Sequence, residues 1–223
     1  MYNWKQLGEH LLSIFLQPNC PLCGRSAEAV VCGNCNRQLE QCRFSEGKFQ
    51  GKRKIPLLVW GKYEGSLKRA IAVLKYEQKP EMARPLGEKL GETWLQRATF
   101  PVSLKPVVIP IPLHPEKEKQ RGYNQAQLIA RSFCQVTGFP LHTQGLKRIK
   151  NTEALFGLTP QQRQKQLDRA FAVGESLNLQ QPILLLDDIY TTGTTIQAAQ
   201  MTLHQAGGKV LAVTAVAKPE KTR

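Results

Sequence analysis

Residues 183–196, ILLLDDIYTTGTTI, constrain the fold more than any other stretch. Ile183, Leu184, Leu185 and Leu186 run together without alternation, the pattern of a strand covered on both faces in a parallel α/β sheet. Ligands of such sheets bind beyond the carboxyl ends of the strands, where this sequence sets Asp187 and Asp188. Two carboxylates there can accept hydrogen bonds from vicinal hydroxyls such as those of a ribose. Thr191, Thr192, Gly193, Thr194 and Thr195 follow. Their hydroxyls and backbone N–H groups can wrap a phosphate, with Gly193 allowing positive φ and close approach. A helix over 195–206 would aim its N-terminus at the same anion. Together these groups describe a receptor for a 5-phosphorylated ribose, whereas a plain capped βα turn needs only one such residue.

The run resembles the fingerprint of the type I phosphoribosyltransferases: four apolar residues, two acids and a Thr/Ser-Gly loop, matched here at every position. The resemblance implies that Asp187 and Asp188 hold the ribose hydroxyls of phosphoribosyl pyrophosphate (PRPP), and that Thr191 through Thr195 hold its 5-phosphate. It also implies Mg²⁺ bound together with PRPP.

A chain of 223 residues can bury one sizeable core and carry a small appendage. Its charge is unusual: 31 Lys and Arg against 17 Asp and Glu give +14. That balance favours polyanionic partners, meaning nucleic acid, phosphorylated ligands or an anionic membrane surface. A solvated basic surface that keeps the chain soluble fits equally well. Trp4, Leu7, Leu11, Leu12, Ile14 and Phe15 suit an amphipathic helix over residues 1–17. Its apolar run is too short to span a bilayer, and only Lys5 precedes it, unlike a secretory signal. The expectation is a cytoplasmic protein whose first helix packs on its neighbour, with peripheral contact at the inner face of the cell membrane as the alternative.

Cys20-Pro-Leu-Cys23 and Cys32-Gly-Asn-Cys35 form two CxxC knuckles, with Gly24 and Gly33 placed for tight turns. Four thiolates in two such pairs can close a tetrahedral structural Zn²⁺ site with no open position for catalysis. Disulfides are the competing reading, disfavoured in a cytoplasmic chain. Cys42 is a spare or substitute ligand, and Cys134, in a helical segment, is a core thiol.

Residues 43–54 turn polar and basic, as a linker would. A strand over 55–60 and a helix over 66–77 follow, the latter with Leu67, Ala70, Ile71 and Leu74 on one face. Lys68, Arg69 and Lys75 belong to a basic cluster over 52–79, the best candidate for a polyanion contact; a solvated helix face is the alternative. A helix over 81–97 precedes a strand over 106–113. After it, a basic loop carries His114, read as an ordinary hydrogen-bonded side chain. The loop also carries Arg121, a candidate catalytic group because a guanidinium can neutralise departing pyrophosphate. A helix through Phe133 comes next, and Gly207-Gly208 stops the 195–206 helix before a last strand over 210–217.

The paired CxxC knuckles, Lys75-Tyr76, PIPLHP, Arg121-Gly122-Tyr123-Asn124-Gln125 and DDIYTTGTT occur in the order seen in the competence protein F family, and the resemblance spans residues 18–217. It implies a zinc-binding module (18–50) behind the N-terminal helix (1–17), fused to a phosphoribosyltransferase-like parallel sheet flanked by helices (51–223). It further implies a role in natural transformation, handling single-stranded DNA with helicase-like and DNA-processing competence proteins. Residues 146–171 depart from the family: Arg148, Thr152, Leu158, Arg163, Ala170 and Phe171 fit, while Leu155, Gln166 and Arg169 stand near an expected Gln, Asn and Gly. Two functions stay open, a PRPP-binding transformation factor and an active phosphoribosyltransferase. The sequence shows no constellation that reads a nucleobase, which a dedicated salvage enzyme needs.

Overall fold

The computed structural model describes residues 18–45, 55–98, 100, 104–150 and 170–220; the expected helix over 1–17 and the core of the expected linker lie outside them. In chain order the elements are α1 (Gly33–Glu40), β1 (Leu57–Lys62), α2 (Gly65–Tyr76), a short 3₁₀ turn (Pro80–Met82), α3 (Ala83–Arg97) and β2 (Val107–Pro110). Then come α4 (Pro115–Arg121), α5 (Gln125–Thr137), β3 (Leu146–Arg148), β4 (Phe171–Val173), β5 (Ile183–Ile189), α6 (Thr194–Gln205) and β6 (Val210–Lys218).

Four strands form one parallel sheet in the order β1-β6-β5-β2. The β5 run is apolar throughout because both faces are covered. Leu184 and Leu186 enter the core beneath α2, α3 and α5, whereas Ile183 and Leu185 enter the core beneath α6. All four are fully buried, each contributing about 1.5–3 kcal/mol relative to exposure. The expected architecture is therefore present: a parallel sheet flanked by helices, preceded by a four-cysteine module.

That module is stitched to the sheet. The Cys42 carbonyl accepts from Lys62 N–H at 2.8 Å, Phe44 N–H reaches the Trp60 carbonyl at 3.0 Å, and Lys89 pairs with Glu40 while lying over the Trp60 ring. Leu39, Val31 and Ala27 share one core with Trp60 and Leu67. Apart from the sheet, β3 and β4 pair antiparallel beside its β2 edge, where Val108 also bridges Leu141.

Three local expectations change. Residues 115–121 are not a loop but α4, begun by His114 and Pro115 at N1, with Glu116 and Glu118 in the first turn and Lys119 and Arg121 in the last. These are ordinary start and stop signals, outweighed in reading by the density of charge. The strand expected over 106–113 ends at Pro110, since Pro110 and Pro112 have no N–H for a ladder. The helix after Asn124 runs past Phe133 to Thr137, where Gly138 at φ 70 closes it.

Helix α3 lies against α5 at a distance set by glycine. A Cβ on Gly87 would strike the Ile129 carbonyl and the Ser132 side chain, and Trp94 meets the Phe133 ring edge-on at 6.0 Å. Gly87→Ala should therefore lower stability by roughly 1–3 kcal/mol, although Ala is the better helix former. Urea denaturation reads this as a lower midpoint; an unchanged or raised midpoint would mean the helices do not pack this closely.

Candidate functional site

The two acids at the end of β5 do not play one role. Strand alternation turns successive side chains to opposite faces, so Asp188 lies on the face of Leu186 and Asp187 on that of Leu185. Asp188 is buried, 3% exposed. It pairs with Lys75 from the end of α2 and accepts from Gln125 Nε2 at 3.4 Å, at the start of α5. Asp187 is half-buried, and its Oδ1 accepts from the Asp188 N–H at 2.8 Å.

Their protonation diverges accordingly. Burial raises the Asp187 carboxyl well above the usual carboxylate range, and the neighbouring Asp188 charge raises it further. Burial acts on Asp188 too, but the Lys75 ammonium, with hydrogen bonds from Asp187, Lys75 and Gln125, overrides it and holds Asp188 below its ordinary value. Lys75 is in turn raised: burial opposes its charge, and Asp188 with Asp187 more than compensates.

Two guanidinium groups approach the pair. Arg121, at the end of α4, donates to Gln125 Oε1, so the side chain that bonds Asp188 also holds a cation. Gly122 at φ 86 turns the chain back, and Asn124 caps α5, accepting from Ala126 N–H at 2.9 Å while donating to the Ile111 carbonyl at 3.0 Å. Arg148, at the end of β3, lies in the field of Asp187 and over the Phe171 ring; its burial lowers its pKa.

The threonine loop joins β5 to α6. Thr191 and Thr192 are exposed and Thr194 and Thr195 half-exposed, with the Thr192 and Thr194 hydroxyls 2.5 Å apart. Gly193 caps α6 at φ 81, and a Cβ there would run into the Tyr190 ring. Glycine is thus required twice over, by backbone angle and by space. The first turn of α6 leaves unpaired N–H groups facing the loop, an arrangement suited to an anion. The helix begins at Thr194, one residue before the expected start.

In the N-terminal module, Cys20, Cys23, Cys32 and Cys35 bring their sulfurs within 4.8 Å of one another, and Cys23 and Cys32 are 3.7 Å apart. A tetrahedron of sulfurs about 2.3 Å from a metal has edges of roughly 3.8 Å, so the set fits a closed four-thiolate site. The Cys35 backbone N–H, with neighbouring thiols, lowers Cys32 to about 7, favouring the thiolate. Gly24 adopts φ 75 as the knuckle requires, whereas Gly33 simply opens α1. Cys42 is not a ligand in this arrangement: it is buried, with its thiol directed to the Gln38 and Glu64 carbonyls. Burial raises Cys134 to about 12, as befits a core thiol.

The remaining candidates separate. Lys68 is exposed on α2, Arg69 is held by Glu77, and Lys75 faces Asp188 rather than solvent. Lys52, Arg53 and Lys54 lie outside the described residues. His114 serves as a cap, its Nδ1 accepting from Glu116 N–H at 3.4 Å. Gln125 and Arg148 were not singled out as site residues from sequence. Gln125 stands in the Arg121–Gln125 run, but its contact with Asp188 spans 63 residues of chain.

No protein-family model matches the chain. It is 27% identical over 206 residues to competence protein F of Haemophilus influenzae, covering 90% of this chain and 85% of that protein. It is 28% identical to competence protein ComFC of Bacillus subtilis, covering 84% and 72%. With DNA utilization protein YhgH of Salmonella typhimurium the identity is 24%, covering 86% and 80%. Among solved structures it is similar to adenine phosphoribosyltransferase from Leishmania tarentolae (11% identity, TM-score 0.41, covering 73% and 91%). Another is orotate phosphoribosyltransferase from Aeropyrum pernix (16%, TM-score 0.36, 68% and 64%). Likenesses this distant carry no weight for the ligand.

The opposite shifts of the two acids predict opposite stability profiles. Asp187, raised on folding, protonates more readily in the folded chain, so its ionisation weakens the fold as pH rises above the unfolded value of about 4. Asp188, lowered on folding, stabilises above about 4, and that contribution is lost as pH falls through its folded value. Relative to the parent, Asp187→Asn should gain stability as pH rises above about 4. Asp188→Asn should lose roughly 3–5 kcal/mol near neutrality, because Lys75 is left buried without its partner, and should recover toward parent stability in acid. Urea denaturation from pH 3 to 8 measures both; parallel profiles for the two variants would contradict the assignment.

Proposed function

We propose, for a chain that belongs to the competence protein F family, that the β5 end and threonine loop bind PRPP or another ribose 5-phosphate, in a protein that handles single-stranded DNA during natural transformation. The observation that carries the ligand is Gly193: its left-handed cap, pressed against Tyr190, leaves the loop N–H groups and the Thr191 to Thr195 hydroxyls around the start of α6. That is a phosphate cradle at the carboxyl end of a parallel strand. Asp187 is the carboxylate left to meet ribose hydroxyls directly, because Asp188 is engaged by Lys75 and Gln125. Mg²⁺ would enter with PRPP and neutralise its pyrophosphate oxygens, with Asp187 as an oxygen ligand of the right chemistry.

The process is supported by the relatives, whose names are competence and DNA utilization proteins. It is also supported by a net charge of +14, suited to a polyanion. Lys68 and Arg69 on α2 are the proposed backbone contacts. Lys75 would reach a polyanion only by giving up Asp188. In this reading the four-thiolate site holds structural Zn²⁺, and the protein works in the cytoplasm, at the inner face of the cell membrane, with helicase-like and DNA-processing competence proteins as partners.

A second reading, transfer of the ribose phosphate to an acceptor, is favoured by Arg121. In that reaction the bond from C1 of the ribose to pyrophosphate breaks with its electrons leaving on pyrophosphate, while an acceptor lone pair forms the new bond and the acceptor then loses its proton to solvent. Arg121, held by Gln125, would stabilise the charge gained by the leaving group.

Calorimetry with PRPP and Mg²⁺ tests the ligand: the parent should bind, and Asp187→Asn and Gly193→Val should each weaken binding at least tenfold. Failure of the parent to bind PRPP, pyrophosphate-free ribose 5-phosphate included, would remove the reading. Binding of oligothymidylate should weaken with salt, and Lys68→Ala should reduce the slope of log K against log salt by about 0.7 if it meets one phosphate. Metal analysis of the purified chain should find about one zinc per molecule, and chelation should lower the urea midpoint.

A further inference from the structure

We infer that Tyr76 and Arg121 form a stacking step for an unpaired nucleobase at the mouth of the phosphoribose site, the base being that of a single-stranded nucleic acid. The inference rests on the ribose-phosphate reading of the Asp187 and threonine-loop site and names the group that lies beside it.

Tyr76 is the last residue of α2 and is 75% exposed, the highest value among the exposed large hydrophobic residues that the structure describes. A single exposed aromatic needs no function. This one is distinguished by its neighbours. Its preceding residue, Lys75, pairs with Asp188, and the guanidinium of Arg121 lies 5.7 Å from its ring centroid. Arg121 bonds Gln125, which bonds Asp188. The ring is therefore joined to the buried acid of the site by two independent routes, one through its own backbone and one through the cation above it.

The platform is rigidly mounted. Tyr123 donates its hydroxyl to the Leu74 carbonyl at 2.6 Å, tying the Arg121 segment to the last turn of α2. On the other side, Arg69 grips Glu77 and Gln78 turns the chain at φ 51, a left-handed angle that a non-glycine residue rarely adopts. Strain of this kind is kept where the surroundings fix the backbone. An aromatic ring held in place, with a guanidinium at hand and an exposed surface, is the equipment by which proteins bind unpaired bases without reading their sequence. Stacking on the ring face gains from the adjacent cation as well. Among the described residues no base-reading polar constellation accompanies it, so the step should accept any base.

The test compares a 5-phosphorylated oligothymidylate with an oligonucleotide of the same length and phosphate count in which the residues are abasic, using fluorescence anisotropy at fixed salt. The parent should bind the base-bearing strand more tightly, by an order of magnitude within a range of roughly 5- to 150-fold for one stacked base. Tyr76→Ala should erase that preference and Tyr76→Trp should restore it, while PRPP affinity by calorimetry stays at the parent value in both. A parent that does not distinguish the two strands, or a Tyr76→Ala variant that keeps the preference, overturns the stacking step. If the parent fails to bind PRPP yet shows a base preference that depends on Tyr76, the ribose-phosphate reading falls and the stacking step stands.

Discussion

The buried ion pair between Lys75 and Asp188 is the interaction on which the site depends. A carboxylate 3% exposed, deep against a parallel sheet, is expensive to charge. Here it is tolerated because an ammonium from the end of α2 and an amide from the start of α5 converge on it. Neither partner is local in sequence, so the pair forms only when the α2, α5 and β5 segments have docked. It thereby ties the packing of one sheet face to the carboxyl end of β5. Such a pair is weak evidence for stability in itself, since a well-packed apolar replacement often does as well. Its value here is positional.

That pair also divides the labour of the two acids. Because Lys75 and Gln125 satisfy Asp188, Asp187 remains as the acid that can respond to a ligand, and burial beside another carboxylate makes it hold its proton more tightly than usual. A cationic or hydroxyl-bearing ligand at Asp187 would favour its ionisation, so binding there and proton release are linked. The same network extends through Gln125 to Arg121 and on to the Tyr76 ring. One buried charge thus stands between the threonine loop on one side and a cationic, aromatic rim on the other.

Much of this was legible in the sequence where the signal is local. The apolar run 183–186 identified a strand covered on both faces, and the strand lies inside the sheet between β2 and β6. The two CxxC knuckles located the four sulfurs that do converge. What sequence did not convey is mutual orientation. Two adjacent aspartates look like twin ligands in a string of letters, but the alternation of a strand turns them to opposite faces, and only tertiary packing decides which one is neutralised. Lys75 looked like one basic residue of a helix face, yet it points into the site. Gly87 and Gly91 carry no signal of their own in the helical pattern, yet they are where α3 and α5 meet closely enough to exclude a Cβ. In each case the deciding contact joins segments remote in sequence, and periodicity carries no information about such contacts.

The four-cysteine module fits the same logic. The described part of the module, residues 18–45, cannot bury a core of its own, and its apolar residues Leu39, Val31 and Ala27 complete the cluster around Trp60 instead. Its last residues hydrogen-bond the edge of β1, covering a strand edge that would otherwise be open to pairing with another chain. Metal in the four-thiolate site would therefore act on the sheet as well as on the module, because α1 reaches the sheet through Lys89 and Trp60 and touches α2, the helix that delivers Lys75. Ser66 near the start of α2 bonds Gln38 of α1 at 3.2 Å, so the two helices are joined directly. Loss of the metal would be transmitted through α2 toward the Lys75–Asp188 pair.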